Sequence, residues 1–392
     1  MSRFWKWNVL GSAVTALCFL AVPLHATAEI VIGASFSATG PAAALGIAPR
    51  NTLQLFPEQI GGEKVRIVFL DDATDPSSAA KNARRFVDEE RADVIIGSTA
   101  SPTSVAIAEI ASANSVVQMT VAPIELPAEK NTWVFRLPQG ITLMAEGTVK
   151  HMKQSGIRTV GFLGYTDAYG ESWLRDVSRD AATSGLKMVA VERFGRNDTS
   201  VTAQALKVVA AQPDAVLVVA SGSGAVMPQK ALLDRGYKGK IYQTYSAVAQ
   251  DLIRMGGKEV EGTLGLSGPA GAIEELPDGH PSKKVASDFM QRYEAKFGAG
   301  SYNQFAANVW VAKLLLEKAV PMALKRAKPG SLEFRTALRE ALESGGEVIV
   351  PQGVLKYSPQ DHFGYDERAR QALVVQGGRW RAAPAAPSAN AR

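Results

Sequence analysis

Residues 93–104 read D-V-I-I-G-S-T-A-S-P-T-S. Val94, Ile95 and Ile96 make a short apolar run that stops at Gly97, the pattern of a strand buried on both faces. The loop after it is crowded with hydroxyls: Ser98, Thr99, Ser101, Thr103 and Ser104. Val105–Ala113 then reads as an Ala- and Ile-rich helix. This order puts open backbone N–H groups at a helix N-terminus, which suits an anionic group. The same hydroxyls can serve as plain helix caps. Taken alone, the stretch leaves both uses open.

Working outward, strand and helix signals alternate. Ile30–Ile32 is a short strand that runs into the hydroxyl-rich turn Ser35–Pro41 and the Ala-rich stretch Ala42–Ala48. Val65–Leu70 is a strand closed by Asp71 and Asp72. Asp75-Pro76 opens a helix, with Asp as N-cap and Pro at the first helical position. Ser115–Thr120 and Trp133–Leu137 are extended. A second series follows, with helices at Met144–Ser155, Tyr169–Ser184 and Ser200–Ala211 and strands at Thr159–Leu163, Lys187–Phe194, Pro213–Ala220 and Lys240–Thr244. Ser267–Pro281, rich in Gly and Pro, reads as a crossover between domains. Helices at Lys283–Phe297, Ala306–Ala327 and Leu332–Glu343 and strands at Gln352–Tyr357 and Gln371–Gln376 complete the chain. The repeated βαβ order predicts an α/β fold with two doubly wound parallel-sheet domains.

In such sheets ligands bind beyond the carboxyl ends of the strands. Three loops at those ends, 35–46, 97–104 and 221–225, carry Ser or Thr with Gly or Ala and no bulky charge. A fourth, Thr244-Tyr245-Ser246-Ala247, adds an aromatic.

At 392 residues the chain is too long for one compact core. Arg3 and Lys6, the apolar run Val9–Leu24 and Ala26-Thr27-Ala28 have the layout of a signal peptide, residues 1–28, cleaved before Glu29. Without Arg3 and Lys6 the formal net charge of +5 falls to +3, too slight and scattered for nucleic acid or a membrane surface. Cys18, the only cysteine, lies inside that segment, so the mature chain has no disulfide or thiol chemistry. Export without disulfides points to a bacterial periplasm. Residues 382–392, rich in Ala and Pro, read as a disordered tail.

Catalytic and metal signatures are missing. His151, His280 and His362 form no ligand pair, so neither a metal nor a cofactor is expected. Gly222-Ser223-Gly224 is one residue too tight for a nucleophile elbow, and Gly33–Gly40 lacks dinucleotide spacing. Asp71-Asp72 can be read as paired carboxylates for acid/base or metal chemistry, but a solvated strand end beside the capped helix is the expectation. No activated group can be assembled, so the chain reads as a binder rather than an enzyme.

Six stretches carry a family likeness: I-V-I-G-A-S-F-S-A-T-G-P-A-A-A-L-G (30–46), L-D-D-A-T-D-P (70–76), V-I-I-G-S-T-A-S-P (94–102), Y-T-D-A-Y-G (165–170), P-D-A-V-L-V-V-A (213–220) and G-Y-K-G-K-I-Y-Q-T (236–244). In their order and spacing the chain resembles the Leu/Ile/Val-type periplasmic solute-binding proteins of ABC importers, of the type I class. The resemblance covers nearly the whole mature chain. It implies two domains joined by three crossovers that close on a ligand by hinge motion. The expected division is 29–143 plus 272–347 for domain I and 144–271 plus 348–381 for domain II. It also implies that Ala100 and Ser101 sit in a carboxylate clamp completed by Val121, Ala122 and Pro123. Leu45 would cover the ligand, Tyr169 would close over it, and Ser223 and Phe305 would lie nearby.

Two departures shape the expected ligand. Members that bind amino acids usually carry an acidic residue after the strand matching Lys240–Thr244, to hold the ammonium. Here that loop reads Tyr245-Ser246-Ala247-Val248. Ile124 also stands where Thr is common. An ammonium closed into a cleft without a counter-charge pays heavily for desolvation. The expected ligand is therefore a small carboxylate without an amine, walled by Tyr169, Tyr245, Phe305 and Leu45. An aromatic acid or an aromatic or branched 2-oxo acid fits, and the D-A-Y-G and A-A-L-G loops resemble those of the aromatic-acid-binding branch. A monomer that delivers its ligand to an inner-membrane ABC permease is the expected context. A branched-chain amino-acid binder and a receptor-coupled sensor of the same fold are the alternatives.

Overall fold

The computed structural model describes Met1, Ser2 and residues 29–384. The expected signal peptide beyond Ser2 and the tail from 385 onward lie outside the described residues.

The first half builds β1 (Glu29–Phe36), α1 (Ile47–Leu53), β2 (Gln59–Ile60), β3 (Glu63–Asp71), α2 (Pro76–Asp88), β4 (Val94–Gly97), α3 (Ser101–Ala113), β5 (Val117–Thr120) and β6 (Val134–Arg136). These strands form one sheet in the order β2-β3-β1-β4-β5-β6, parallel except at the β2 edge. β4 is buried along its whole length, as its unbroken apolar run requires. Asp75 caps α2 by accepting from the Ser78 N–H at 2.7 Å, with Pro76 at the first helical position, as predicted.

The chain then crosses to α4 (Ile141–Gln154), β7 (Thr159–Tyr165), α5 (Ala168–Ser184), β8 (Lys187–Phe194), α6 (Thr202–Ala210), β9 (Ala215–Val219), α7 (Val226–Asp234), β10 (Lys240–Gln243), α8 (Gln250–Gly256) and β11 (Leu264–Ser267). It crosses back to α9 (Pro281–Phe297), α10 (Gln304–Leu324), α11 (Leu332–Ser344), β12 (Val348–Val350) and β13 (Gly353–Leu355), then once more to β14 (Gln371–Gln376) and β15 (Arg379–Ala382). The second sheet runs β15-β14-β11-β10-β9-β7-β8, parallel from β8 to β11 and antiparallel at β14 and β15. The fold is therefore α/β with two doubly wound sheets and three crossovers, with antiparallel strands at the sheet edges and in the separate β12–β13 pair.

Each sheet has its own core. One joins Ile30, Ile32 and Ile96 to Leu316, Leu338 and Phe334 of α10 and α11. The other joins Phe162, Leu217 and Val218 to Trp173 and Leu373. Val350, Leu355 and Tyr357 lie in the first core, so the stretch 348–357, expected with domain II, packs with the first sheet. Ala382, expected in the tail, ends β15, and the Ala383 N–H donates to Ala372 O at 2.9 Å.

Candidate ligand-binding site

A doubly wound sheet opens a crevice where successive strands leave for opposite sides. In the first sheet that point lies between β1 and β4, and in the second between β7 and β9. The loops after these strands face one another across a cleft between the two halves. Its lining includes Leu45, Ala100, Ser101, Val121, Ala122, Tyr169, Tyr245, Ser246 and Phe305 from the sequence expectation. Ser223 lies in the single-turn helix Gly222–Ala225, and its side chain is outside the described residues. Ser221 supplies the hydroxyl of that loop to the cleft.

The first wall is built on buried Asp72. Its carboxylate accepts from Ser98 Oγ at 2.6 Å, Ser37 Oγ at 2.7 Å, Ser35 Oγ at 3.1 Å and the Thr74 N–H at 3.1 Å. Burial pushes the Asp72 carboxyl above its usual range, and these donors offset that only in part. The expected solvated strand end is therefore corrected for Asp72, which is fully buried and ties the ends of β1, β3 and β4 together. Burial also acts upwards on neighbouring Asp71. The Thr39 hydroxyl and the Ala73, Ala38 and Thr39 N–H groups outweigh it and hold that carboxyl below its usual range.

The hydroxyls of 98–104 do not cap α3. The N-cap is Ala100, and no side chain caps it. Thr103 Oγ1 donates to Ala100 O at 2.9 Å and Ser104 Oγ to Ser98 O at 2.8 Å, while Thr99 Oγ1 accepts from the Ser37 N–H at 3.2 Å. Ser101 Oγ has no hydrogen-bond partner among the described residues and lines the cleft beside the open first turn of α3. The expected second contributor is less available, because the Ala122 N–H already bonds Thr120 Oγ1 at 3.2 Å. Ile124 turns away into a satellite core with Ala108, Ala122 and Val134. Ala42, Leu45, Ala100 and Phe305 pack together as the apolar part of this wall.

The second wall starts at α5, whose N-cap Asp167 accepts from the Tyr169 and Gly170 N–H groups. Tyr169 hydroxyl donates to Thr244 Oγ1 at 2.9 Å and lies 2.6 Å from Ser246 Oγ. Burial pushes it up to about 12 despite those bonds. Burial likewise holds Tyr245 well above its usual value, and its hydroxyl donates to Gln139 O at 3.3 Å. Trp173 backs both rings, with centroids 6.4 Å from Tyr169 and 6.0 Å from Tyr245.

Sequence reasoning missed two sets of lining residues. Gln139, Gln304, Asn308 and Gln352 make an amide cluster on the hinge side. Gln352 Nε2 donates to Asn308 Oδ1 at 2.6 Å, and Gln304 Nε2 donates across the cleft to Val248 O at 2.8 Å. Gln139 Oε1 is buried without a partner among the described residues. The other is Arg196, just past the end of β8, the one charged side chain in the lining. The signal available was an arginine at a strand's carboxyl end, in F-G-R-N-D (194–198).

The cleft is drawn nearly shut, with a cavity of about 20 Å³. That admits a water but no aromatic acid, so entry requires the halves to separate. A larger hollow of about 530 Å³ is bounded by the second crossover and the β14–β15 turn, outside the four switch-point loops.

Residues 29–377 match the family model described as periplasmic binding protein. An extracellular ligand-binding receptor from Rhodopseudomonas palustris HaA2 is 44% identical, with 91% of this chain and 100% of that one covered and a TM-score of 0.89. A Leu/Ile/Val-binding protein homologue from Brucella melitensis is 25% identical over 362 residues, 89% of this chain and 92% of the relative. A solute-binding protein of an ABC transporter from R. palustris, solved in complex with benzoate, shares the fold at 19% identity and a TM-score of 0.75, covering 91% and 96%. Two doubly wound halves, meeting at their switch points and matched by a family model over almost every described residue, place this chain in the periplasmic binding protein family.

Proposed function

We propose that the protein binds a small carboxylate lacking an amine, an aromatic acid or an aromatic or branched 2-oxo acid, and delivers it from the periplasm to an inner-membrane ABC permease. The observation that carries this reading is the charge of the lining: among the described residues it contains no Asp or Glu, and its one charged side chain is Arg196. An α-ammonium would lose its hydration with no counter-charge to replace it. A carboxylate instead meets Ser101 Oγ, the open N–H groups at the start of α3 and the positive end of that helix. The apolar remainder fits the walls of Leu45, Phe305, Tyr169 and Tyr245. The benzoate complex of a protein with this fold supports the same ligand class. In this reading the protein works by binding: closure strips water from the ring while dipoles carry the charge.

The names of its curated relatives make leucine the competing ligand. Calorimetric titration of leucine, phenylglyoxylate and 4-hydroxyphenylpyruvate separates the two. Heat from the oxo acids with none from leucine is expected. Tight leucine binding with silent oxo acids overturns the proposal.

A further inference from the structure

Arg196 is held in place from three sides. Its Nε donates to Asp167 Oδ2, its Nη1 donates to Ser221 Oγ at 3.0 Å, and its guanidinium lies 4.1 Å over the Tyr165 ring. Only 13% of its side chain is exposed. A guanidinium carries five N–H donors in a planar fork, and the two bonds to Asp167 and Ser221 leave three uncommitted. Arg196 and Ser221 both line the cleft, on the wall opposite Ser101.

The charge of this fork is already balanced by Asp167, so it offers donors and little net charge. A second carboxylate placed there would be buried without a full counter-charge. A neutral oxygen would gain hydrogen bonds to a rigid donor and leave the Arg–Asp pair intact. Resting on the ligand class proposed above, we infer that Arg196 and Ser221 form a second polar subsite, selecting acids whose far end carries a neutral oxygen acceptor such as a ring hydroxyl. The ligand is then two-ended, with its carboxylate at Ser101 and the start of α3, its oxygen at Arg196, and its ring between Phe305 and Tyr169.

The test uses matched pairs, since a hydroxyl and a methyl are similar in size. The 4-hydroxy and 4-methyl forms of benzoate, phenylacetate and phenylpyruvate are titrated into the wild-type chain and into Arg196→Lys, Arg196→Gln and Ser221→Ala. The readout is the ratio of affinities within each pair, with thermal unfolding of each variant as the control for folding. At least one pair should favour the hydroxy acid about tenfold or more in the wild type. That ratio should fall towards one in both Arg196 variants and part of the way in Ser221→Ala, which keeps the Arg196–Asp167 pair. A ratio near one in the wild type, or an unchanged ratio in folded Arg196→Lys, overturns this subsite and leaves the proposed ligand class standing. Failure of every pair to bind the wild type overturns this subsite and the aromatic part of the proposed ligand class, leaving the branched 2-oxo acids.

Discussion

Replacing Ser101 with Ala tests the first wall most directly, because the structure separates its role from that of its neighbours. Ser101 Oγ bonds to no described residue, so its loss should leave stability within about 0.5 kcal/mol. A hydrogen bond from a hydroxyl to a carboxylate contributes about 1.5–3 kcal/mol. Affinity for the aryl or oxo acid that binds the wild type should therefore fall roughly 10- to 150-fold. Ser98, three residues earlier, supplies the contrast. Its hydroxyl donates at 2.6 Å to buried Asp72, so Ser98→Ala leaves a buried carboxyl short of a donor. That variant should lose about 1–3 kcal/mol of stability. Calorimetric titration and urea unfolding on both variants read the two effects separately. If Ser101→Ala binds as tightly as the wild type, the carboxylate lies elsewhere. If it unfolds as early as Ser98→Ala, the hydroxyl is structural.

Gly97 has φ +131°, and a Cβ there would lie 2.0 Å from Ser35 O, so Gly97→Ala should cost about 2–6 kcal/mol from strain and overlap together; an unchanged urea midpoint would refute it. Buried Asp93 accepts from the Val31 and Gly330 N–H groups, and burial pushes its carboxyl up to about 6 in spite of them. Because the folded value exceeds the unfolded one, this contribution is complete below about pH 4 and is lost as pH rises to about 6, a fall of about 3 kcal/mol that Asp93→Asn should abolish. Parallel pH profiles of urea unfolding for the two proteins would refute this. Gln304→Ala removes the donor to Val248 O that bridges the two halves, so ligand should leave about 5- to 30-fold faster, for about 1–2 kcal/mol. An unaltered dissociation rate in stopped-flow would show that this contact does not hold the cleft shut.

How much of this was legible in the sequence follows from how local each signal is. β4 and its loop could be read directly, because an unbroken apolar run, a glycine and a hydroxyl cluster occupy twelve consecutive residues. The partners of those hydroxyls could not. Asp72 reaches Ser98 across 26 residues and Ser37 across 35, and only the parallel register of β1, β3 and β4 brings them together. Capping by Ser or Thr was therefore a sound local expectation that tertiary contacts displaced: Ser98 is drawn down to Asp72, which leaves Ala100 at the cap and Ser101 turned to the cleft. The hinge side was less legible still. Gln139, on the first crossover, and Gln352, in the turn between β12 and β13, stand 213 residues apart, and nothing in either neighbourhood marks an amide as part of a site. Arg196 shows the limit most clearly. A lone arginine after a strand is usually a solvated charge, and this one becomes part of the cleft wall only because Tyr165 and Asp167 from one segment and Ser221 from another converge on it. The family pattern emphasised positions that differ from those of amino-acid binders by losing a charge. The structure adds a position where a charge is present and already balanced, and that difference bears on the proposed ligand class.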